Sequence, residues 1–279
     1  MRVLLTGSSG QLGSAIAEAL TARGHEVYGI DRRAGPWTRE LVNIGERETL
    51  FSLARWSNVV IHTASLHQPD MARYSESDFV ETNVNGTLNL LEAAQAAGVG
   101  RFVYTSTTSV YGKAMRSWRG AVWVTEELHP RPRDIYDRTK LSAEALCKHF
   151  ALKRGLPAIC LRVARFFQES PREMALHRLY RGLDVRDGAM AHVLAALNES
   201  QTFDILTIAA RSPFKREDTS LLLRDPVAVL RQRLPEVLDV FAARGWELPK
   251  SIDRVYDSER AESVLGFQPA HNFLEHVHA

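Results

Sequence analysis

A doubly wound α/β fold, a parallel sheet with helices on both faces, is the architecture expected of this chain on three grounds. Apolar strand-like runs alternate with helical repeats through its first two thirds. The first of those strands runs straight into the glycine-rich turn Gly7-Ser8-Ser9-Gly10-Gln11-Leu12-Gly13. A later apolar strand ends in a row of hydroxyls, where such a sheet opens its ligand crevice.

The elements follow in order. Val3 to Thr6 forms the opening strand, and Gly7 allows the tight turn after it. Gly10 leaves the backbone bare for a pyrophosphate, Gly13 lets the next helix pack closely, and the phosphates meet free N–H groups at that helix's start. The helix Gln11 to Arg23 stops at Gly24, and the strand Glu26 to Ile30 ends in Asp31, at the distance where a carboxylate meets an adenosine ribose. Gly13 is followed by Ser14 and Ala15 with no lysine, which excludes a phosphoryl-transferring P-loop. The alternation continues with a helix from about Glu46 to Arg55, a strand Asn58 to His62, a helix from about Phe79 to Ala97 and a strand Arg101 to Ser106. A long helix Ile135 to Arg154 and a strand Ala158 to Val163 complete the regular part.

Beyond Arg165 the pattern loosens. A helix near Ala189 to Asn198, a strand Phe203 to Ala209 and a closing helix Ser258 to Leu265 are separated by Pro213, Pro226, Pro235 and Pro249. Residues 1–165 are therefore expected to form the dinucleotide-binding domain, and residues 166–279 a smaller C-terminal substrate lobe interleaved with its sheet.

Composition narrows the classes. The 279 residues are 45% hydrophobic, enough for a large core, and the net charge of +2 is spread along the chain without a basic stripe, which argues against nucleic acid and anionic membrane surfaces. The N-terminus reads as a core strand with no room for a cleavable signal, and no apolar run spans a bilayer, so a cytoplasmic protein is expected. Cys147 and Cys160 read as buried free thiols. His271, His276 and His278 lack the carboxylates or thiolates that would complete a site, and no metal is expected.

Tyr136 and Lys140 stand four apart in the long helix and so share one face. An ammonium beside a phenol stabilises phenolate, and Lys140 is expected to lower the Tyr136 pKa so that it can take a proton from a substrate hydroxyl. The strand Arg101 to Ser106 leads into Thr107-Thr108-Ser109-Val110-Tyr111-Gly112, whose hydroxyls can bind a substrate oxygen.

With these residues the chain resembles the extended short-chain dehydrogenase/reductase family, in its NAD-dependent epimerase/dehydratase branch. Thr6 to Gly13 is similar to the cofactor loop, His62-Thr63-Ala64-Ser65 to the segment beneath the cofactor, Asn83 to the structural asparagine, and Tyr136-Asp137-Arg138-Thr139-Lys140 to Tyr-x-x-x-Lys. The segment from Asp257 through Leu265-Gly266-Phe267-Gln268-Pro269 is similar to the family's ending. The resemblance implies a Rossmann fold and catalytic roles for Tyr136 as acid or base, Lys140, which also holds the nicotinamide ribose, and Thr107. It implies a cofactor site of Gly7, Ser9, Gly10, Gln11, Leu12, Gly13, Asp31, Arg32, Thr63, Ala64, Ser65, Asn83, Tyr136 and Lys140, with substrate held by Thr107, Thr108 and Arg165.

Asp31 favours NAD, because its carboxylate repels the 2′-phosphate of NADP, while Arg32 and Arg33 leave NADP as the lesser alternative. Asn43 stands where relatives often carry an Asp near the adenine. In the family's dehydratases and decarboxylases an acidic residue follows the catalytic hydroxyl. Thr108 and Ser109 stand there instead, pointing to dehydrogenases or epimerases. The short stretch before Asp184-Val185-Arg186-Asp187 suggests a small substrate such as a free sugar or sugar acid, and Arg162, Arg165 and Arg172 are candidates to hold an anionic group. Three readings are carried: an NAD-dependent oxidoreductase acting on a secondary alcohol, a UDP-glucose-type 4-epimerase with tightly held NAD, and a non-catalytic NAD(P)-binding regulator. A homodimer through the Phe79 to Ala97 and Ile135 to Arg154 helices is the assembly that the resemblance implies.

Overall fold

The computed structural model describes residues 1–273 and 275; His276 and His278 lie outside them. In chain order the first elements are β1 (Arg2–Thr6), α1 (Gln11–Thr21), β2 (Glu26–Asp31), β3 (Glu40–Leu41), α2 (Arg47–Trp56) and β4 (Val59–His62). They are followed by α3 (Glu76–Val80), α4 (Gly86–Ala96), β5 (Arg101–Thr107), β6 (Val122–Val124), α5 (Ile135–Arg154) and β7 (Ala158–Val163). The remainder comprises α6 (Pro171–Tyr180), α7 (Val185–Leu197), β8 (Phe203–Ile208), α8 (Thr219–Arg224), α9 (Pro226–Arg233), α10 (Glu236–Ala243), β9 (Arg254–Tyr256) and α11 (Glu259–Leu265).

Seven strands form one parallel sheet in the order β3-β2-β1-β4-β5-β7-β8. Every residue of β4 and of β7 is buried, as strands covered on both faces require. Leu5, Ile16, Leu20, Ile159 and Val193 pack in the layer on one face, and Leu4, Leu50, Leu91, Phe102 and Cys147 in the layer on the other. Cys147 and Cys160 are both buried free thiols. The strand order reverses beside β1, and the crevice opens between the C-terminal ends of β1 and β4.

The sheet does not end at residue 165. Strand β8 pairs along its full length with β7, and α7 packs against α1, so part of the stretch assigned to the substrate lobe belongs to the sheet layer. The rest gathers around a third core of Leu179, Phe214, Leu230, Phe241 and Ile252. The two-stranded parallel pair β6–β9 ties this core to the sheet, because alternate residues of a strand face opposite sides: Val255 enters the third core while Tyr256 enters the first.

The long helix α5 keeps its expected limits. Asp134 caps it by accepting the Asp137 N–H at 2.9 Å, and Gly155, at φ +73, ends it in the left-handed conformation. The helix expected from Phe79 to Ala97 is instead interrupted by a π-turn, Glu81–Asn85. The wider turn brings the Asn83 amide to Leu66 and Thr139, a placement that the regular periodicity does not reveal.

Candidate active site

A cleft of about 600 Å³ runs along the C-terminal edge of the sheet. Gly7, Gly10, Gln11, Leu12 and Gly13 form its floor at the start of α1, where the N-cap Gly10 contributes no side chain to the helix N–H groups. The loop is packed tightly: a Cβ on Gly13 would lie 2.0 Å from the Gly7 carbonyl oxygen. Asp31 and Arg32 border one end. The Asp31 carboxylate is held in place by the backbone N–H groups of Ser9 (3.1 Å) and Arg33 (3.0 Å). Thr63, Ala64 and Ser65 form the facing wall, with Thr63 donating to the Thr6 carbonyl at 2.8 Å and Ala64 N–H to Thr6 Oγ1 at 3.2 Å. The buried Ser65 hydroxyl, on that wall, has no hydrogen-bond partner among the described residues.

Two of the expected cofactor residues stand behind the lining of the cleft. Ser9 does not line the cleft; it serves through its N–H to Asp31. Asn83 does not reach it either, since its carbonyl accepts from Leu66 N–H (2.8 Å) and its amide donates to the Leu66 carbonyl (3.0 Å) and Thr139 Oγ1 (3.1 Å). It shapes the wall from behind.

At the other end of the crevice, Thr107, Thr108, Tyr136 and Lys140 line the same cleft. Thr107 lies close enough to the Tyr136 phenol to lower its pKa, and the Thr107 hydroxyl accepts the Ser109 N–H at 3.1 Å, while Thr108 donates to the Val163 carbonyl at 3.5 Å. Lys140, one helical turn beyond Tyr136, donates Nζ to the Thr105 carbonyl at 2.9 Å and lies 5.0 Å from the centre of the Tyr104 ring. Burial pushes Lys140 down to about 7, against the Glu144 carboxylate and Cys147 thiol acting the other way. The expected lowering of the Tyr136 pKa is not found. Burial raises it, opposed by Thr107, and the Lys140 ammonium is hydrogen-bonded to the Thr105 carbonyl.

The three arginines proposed for an anionic group separate. Arg165 lines the cleft, tied to Glu169 and lying 4.9 Å from the Phe167 ring centre. Arg162 is buried behind the wall, paired with Glu144 through Nε (2.9 Å) and Nη2 (2.7 Å), and Arg172 donates to the Glu247 carbonyl away from the cleft. Sequence reasoning missed His67, Arg133, Arg181, Arg254 and Tyr256, all of which line the cleft. The His67 ring stands 6.0 Å from that of Tyr136. Arg254 and Tyr256 share one face of β9, and Arg181 donates Nη2 to His177 Nε2 at 2.9 Å. Because a guanidinium only donates, His177 Nε2 accepts, and its Nδ1–H goes to Glu169 at 2.7 Å. Among the described residues no cluster of metal ligands occurs.

A glycine-rich floor, a helix N-terminus open to the cleft, an orphaned Ser65 hydroxyl and a fixed carboxylate at β2 fit an NAD-type dinucleotide. The sheet order and this glycine loop define a Rossmann-type α/β protein. The model of the NAD dependent epimerase/dehydratase family matches residues 3–182, and the chain belongs to that family. It is 30% identical over 173 residues to the L-arabinose 1-dehydrogenase (NAD(P)(+)) of Haloferax volcanii, covering 58% of this chain and 66% of that one. It is 29% identical over 170 residues to the UDP-glucose 4-epimerase of Corynebacterium glutamicum, covering 58% and 50%. The matches thus span between half and two thirds of these relatives' lengths. A short-chain dehydrogenase/reductase superfamily protein from Agrobacterium tumefaciens, solved with bound NAD, superposes with a TM-score of 0.75 at 21% identity over all of this chain and 95% of that one.

Proposed function

We propose that this chain is an NAD-dependent oxidoreductase acting on a secondary alcohol of a sugar or sugar-like small molecule. The observation that carries the reading is that Thr107, Tyr136 and, one turn behind, Lys140 line the same cleft as Asp31 and the glycine floor. The nicotinamide, when bound, supplies the acceptor and donor of hydride. Gly7, Gly10 and the start of α1 hold its pyrophosphate, Asp31 its adenosine ribose, and Lys140 its second ribose.

Thr107 hydrogen-bonds the reacting oxygen and Tyr136 moves the proton. Burial keeps Tyr136 as the neutral phenol, so it is set to protonate a carbonyl; the reverse direction requires phenolate and gains with rising pH. Arg181, Arg254 and Tyr256, from β9 and the end of α6, face the substrate side.

The UDP-glucose-type 4-epimerase is the second reading, favoured by the likeness to such an enzyme. A regulator without chemistry accords less well with Tyr136, Thr107 and Lys140 meeting in one cleft. The chain is proposed to be cytoplasmic, in keeping with described helices none of which is long and apolar enough to cross a membrane. A homodimer through α4 and α5 is also proposed, where Leu152 on α5 is 52% exposed; gel filtration with light scattering tests it.

Incubating the protein with NAD and a panel of free sugars, sugar acids and UDP-sugars separates the readings. Net NADH formation marks the oxidoreductase, isomer exchange without net NADH marks the epimerase, and neither is expected of Tyr136→Phe. A Tyr136→Phe protein with full turnover overturns the mechanism.

A further inference from the structure

Lys140 is the buried lysine of this protein. The chain has six lysines, and Lys113, Lys148, Lys153, Lys215 and Lys250 are all exposed. Its ammonium is only 2% exposed as a residue and makes one hydrogen bond, to the Thr105 carbonyl at 2.9 Å. An ammonium has three protons to place, and a buried one that satisfies a single acceptor is poorly compensated for its lost hydration.

What lies beneath it is the Tyr104 ring, 5.0 Å from Nζ to the ring centre. Tyr104 is 1% exposed, and its hydroxyl has no hydrogen-bond partner among the described residues. The side chain is therefore not held by its polar end; what it presents to the rest of the site is the negative face of an aromatic ring, which attracts a desolvated cation strongly. Strand geometry explains the arrangement. Tyr104 precedes Thr105 on β5, so one dipeptide supplies both the ring and the carbonyl that flank Nζ.

We propose that Tyr104 is a positioning residue of the active site: its ring face and the Thr105 carbonyl together fix the Lys140 ammonium behind Tyr136. The inference rests on the role given to Lys140 under the proposed function. The other groups that bear on Nζ act in both directions. Glu144 and Cys147 on α5 favour the ammonium, burial opposes it, and His62 and His67 feel its charge from β4 and the loop after it. Burial makes the Lys140 proton costly to keep, and the ring face 5.0 Å from Nζ is the contact through which Tyr104 helps to hold it.

The test follows the lysine Cε resonances by NMR in full-length protein labelled with ¹³C-lysine. Lys140 is expected to titrate far below the five surface lysines. Tyr104→Phe keeps the ring face and leaves that titration in place. Tyr104→Leu removes the ring and lowers it by about one pH unit or more, the scale of a desolvated cation–π contact. Pentafluorophenylalanine at position 104, which preserves the shape and reverses the ring's polarity, lowers it as well. This variant carries the test if Tyr104→Leu does not fold. An unchanged Lys140 titration in the fluorinated or Leu variant overturns the proposal, as does a wild-type Lys140 that titrates with the surface lysines. A loss of proton affinity tracks the ring, whereas a merely structural role for Tyr104 changes the unfolding midpoint alone. The titration needs no substrate, so failure of the sugar panel and failure of this inference are read separately.

Discussion

His62 Nε2 stands 3.0 Å from Thr87 Oγ1, and because that hydroxyl already donates to the Asn83 carbonyl at 2.7 Å, the imidazole is the donor. His62 Nδ1 is then the acceptor, taking the Thr6 hydroxyl proton at 2.7 Å. A one-way chain of donors thus runs from the end of β1 to the π-turn, and it requires a neutral ring.

Acid should break it. Burial, with Lys140 adding to it, lowers His62 from 6.5 to about 3, and burial lowers His192 to about 4. A histidine whose folded pKa lies below its unfolded value contributes stability that is complete above about pH 6.5 and is lost as pH falls. Each ring is expected to cost about 2 kcal/mol by about pH 5. Urea midpoints measured from about pH 7 to about pH 5 should fall accordingly, and His192→Gln should flatten the slope.

The glycine floor gives a contrast of two substitutions. Gly13→Ala drives a Cβ to 2.0 Å from the Gly7 oxygen, so the loop must open, and NAD affinity by calorimetry is expected to fall at least about tenfold with a lowered Tm. Gly24→Ala meets open space and costs only the left-handed backbone at φ +76, about 1–2 kcal/mol, with binding intact.

Glu144 accepts from Ser106 and, at two points, from Arg162, and all three are buried. Glu144→Leu strands the guanidinium and is expected to destabilise by about 3–5 kcal/mol in denaturant titrations. Adding Arg162→Met should recover much of that loss.

Removing Asp31 should change cofactor preference. Asp31→Ala withdraws the acceptor of Ser9 and Arg33 N–H and the charge that repels a 2′-phosphate, leaving Arg32 and Arg33 beside the cleft. Fluorescence titrations are expected to show weaker NAD binding and an NADP affinity closer to it.

The parts of this molecule that the sequence reveals are those fixed by local chemistry. Asp134 and Gly155 bracket α5 within the chain itself, and the Tyr136–Lys140 spacing needs only helix geometry. The π-turn escaped because one extra residue in a turn leaves no mark on apolar periodicity. His67, Arg181 and Arg254 escaped for another reason: they reach the cleft from a 3₁₀ segment, a helix end and a three-residue strand, whose placement is decided by tertiary packing. The phenol's raised pKa escaped as well, since burial depends on the whole layer around Tyr136.

The pairing of Val122–Val124 with Arg254–Tyr256 has a bearing on how the molecule is made. On the ribosome, everything that cradles the dinucleotide emerges long before the strand that carries Arg254 and Tyr256. A nascent chain can assemble its glycine floor early, while the substrate wall waits for a partner from near the other end, a loop closure of high contact order. Cofactor capture can therefore precede completion of the substrate side, and pausing late in translation would stall the second event without disturbing the first.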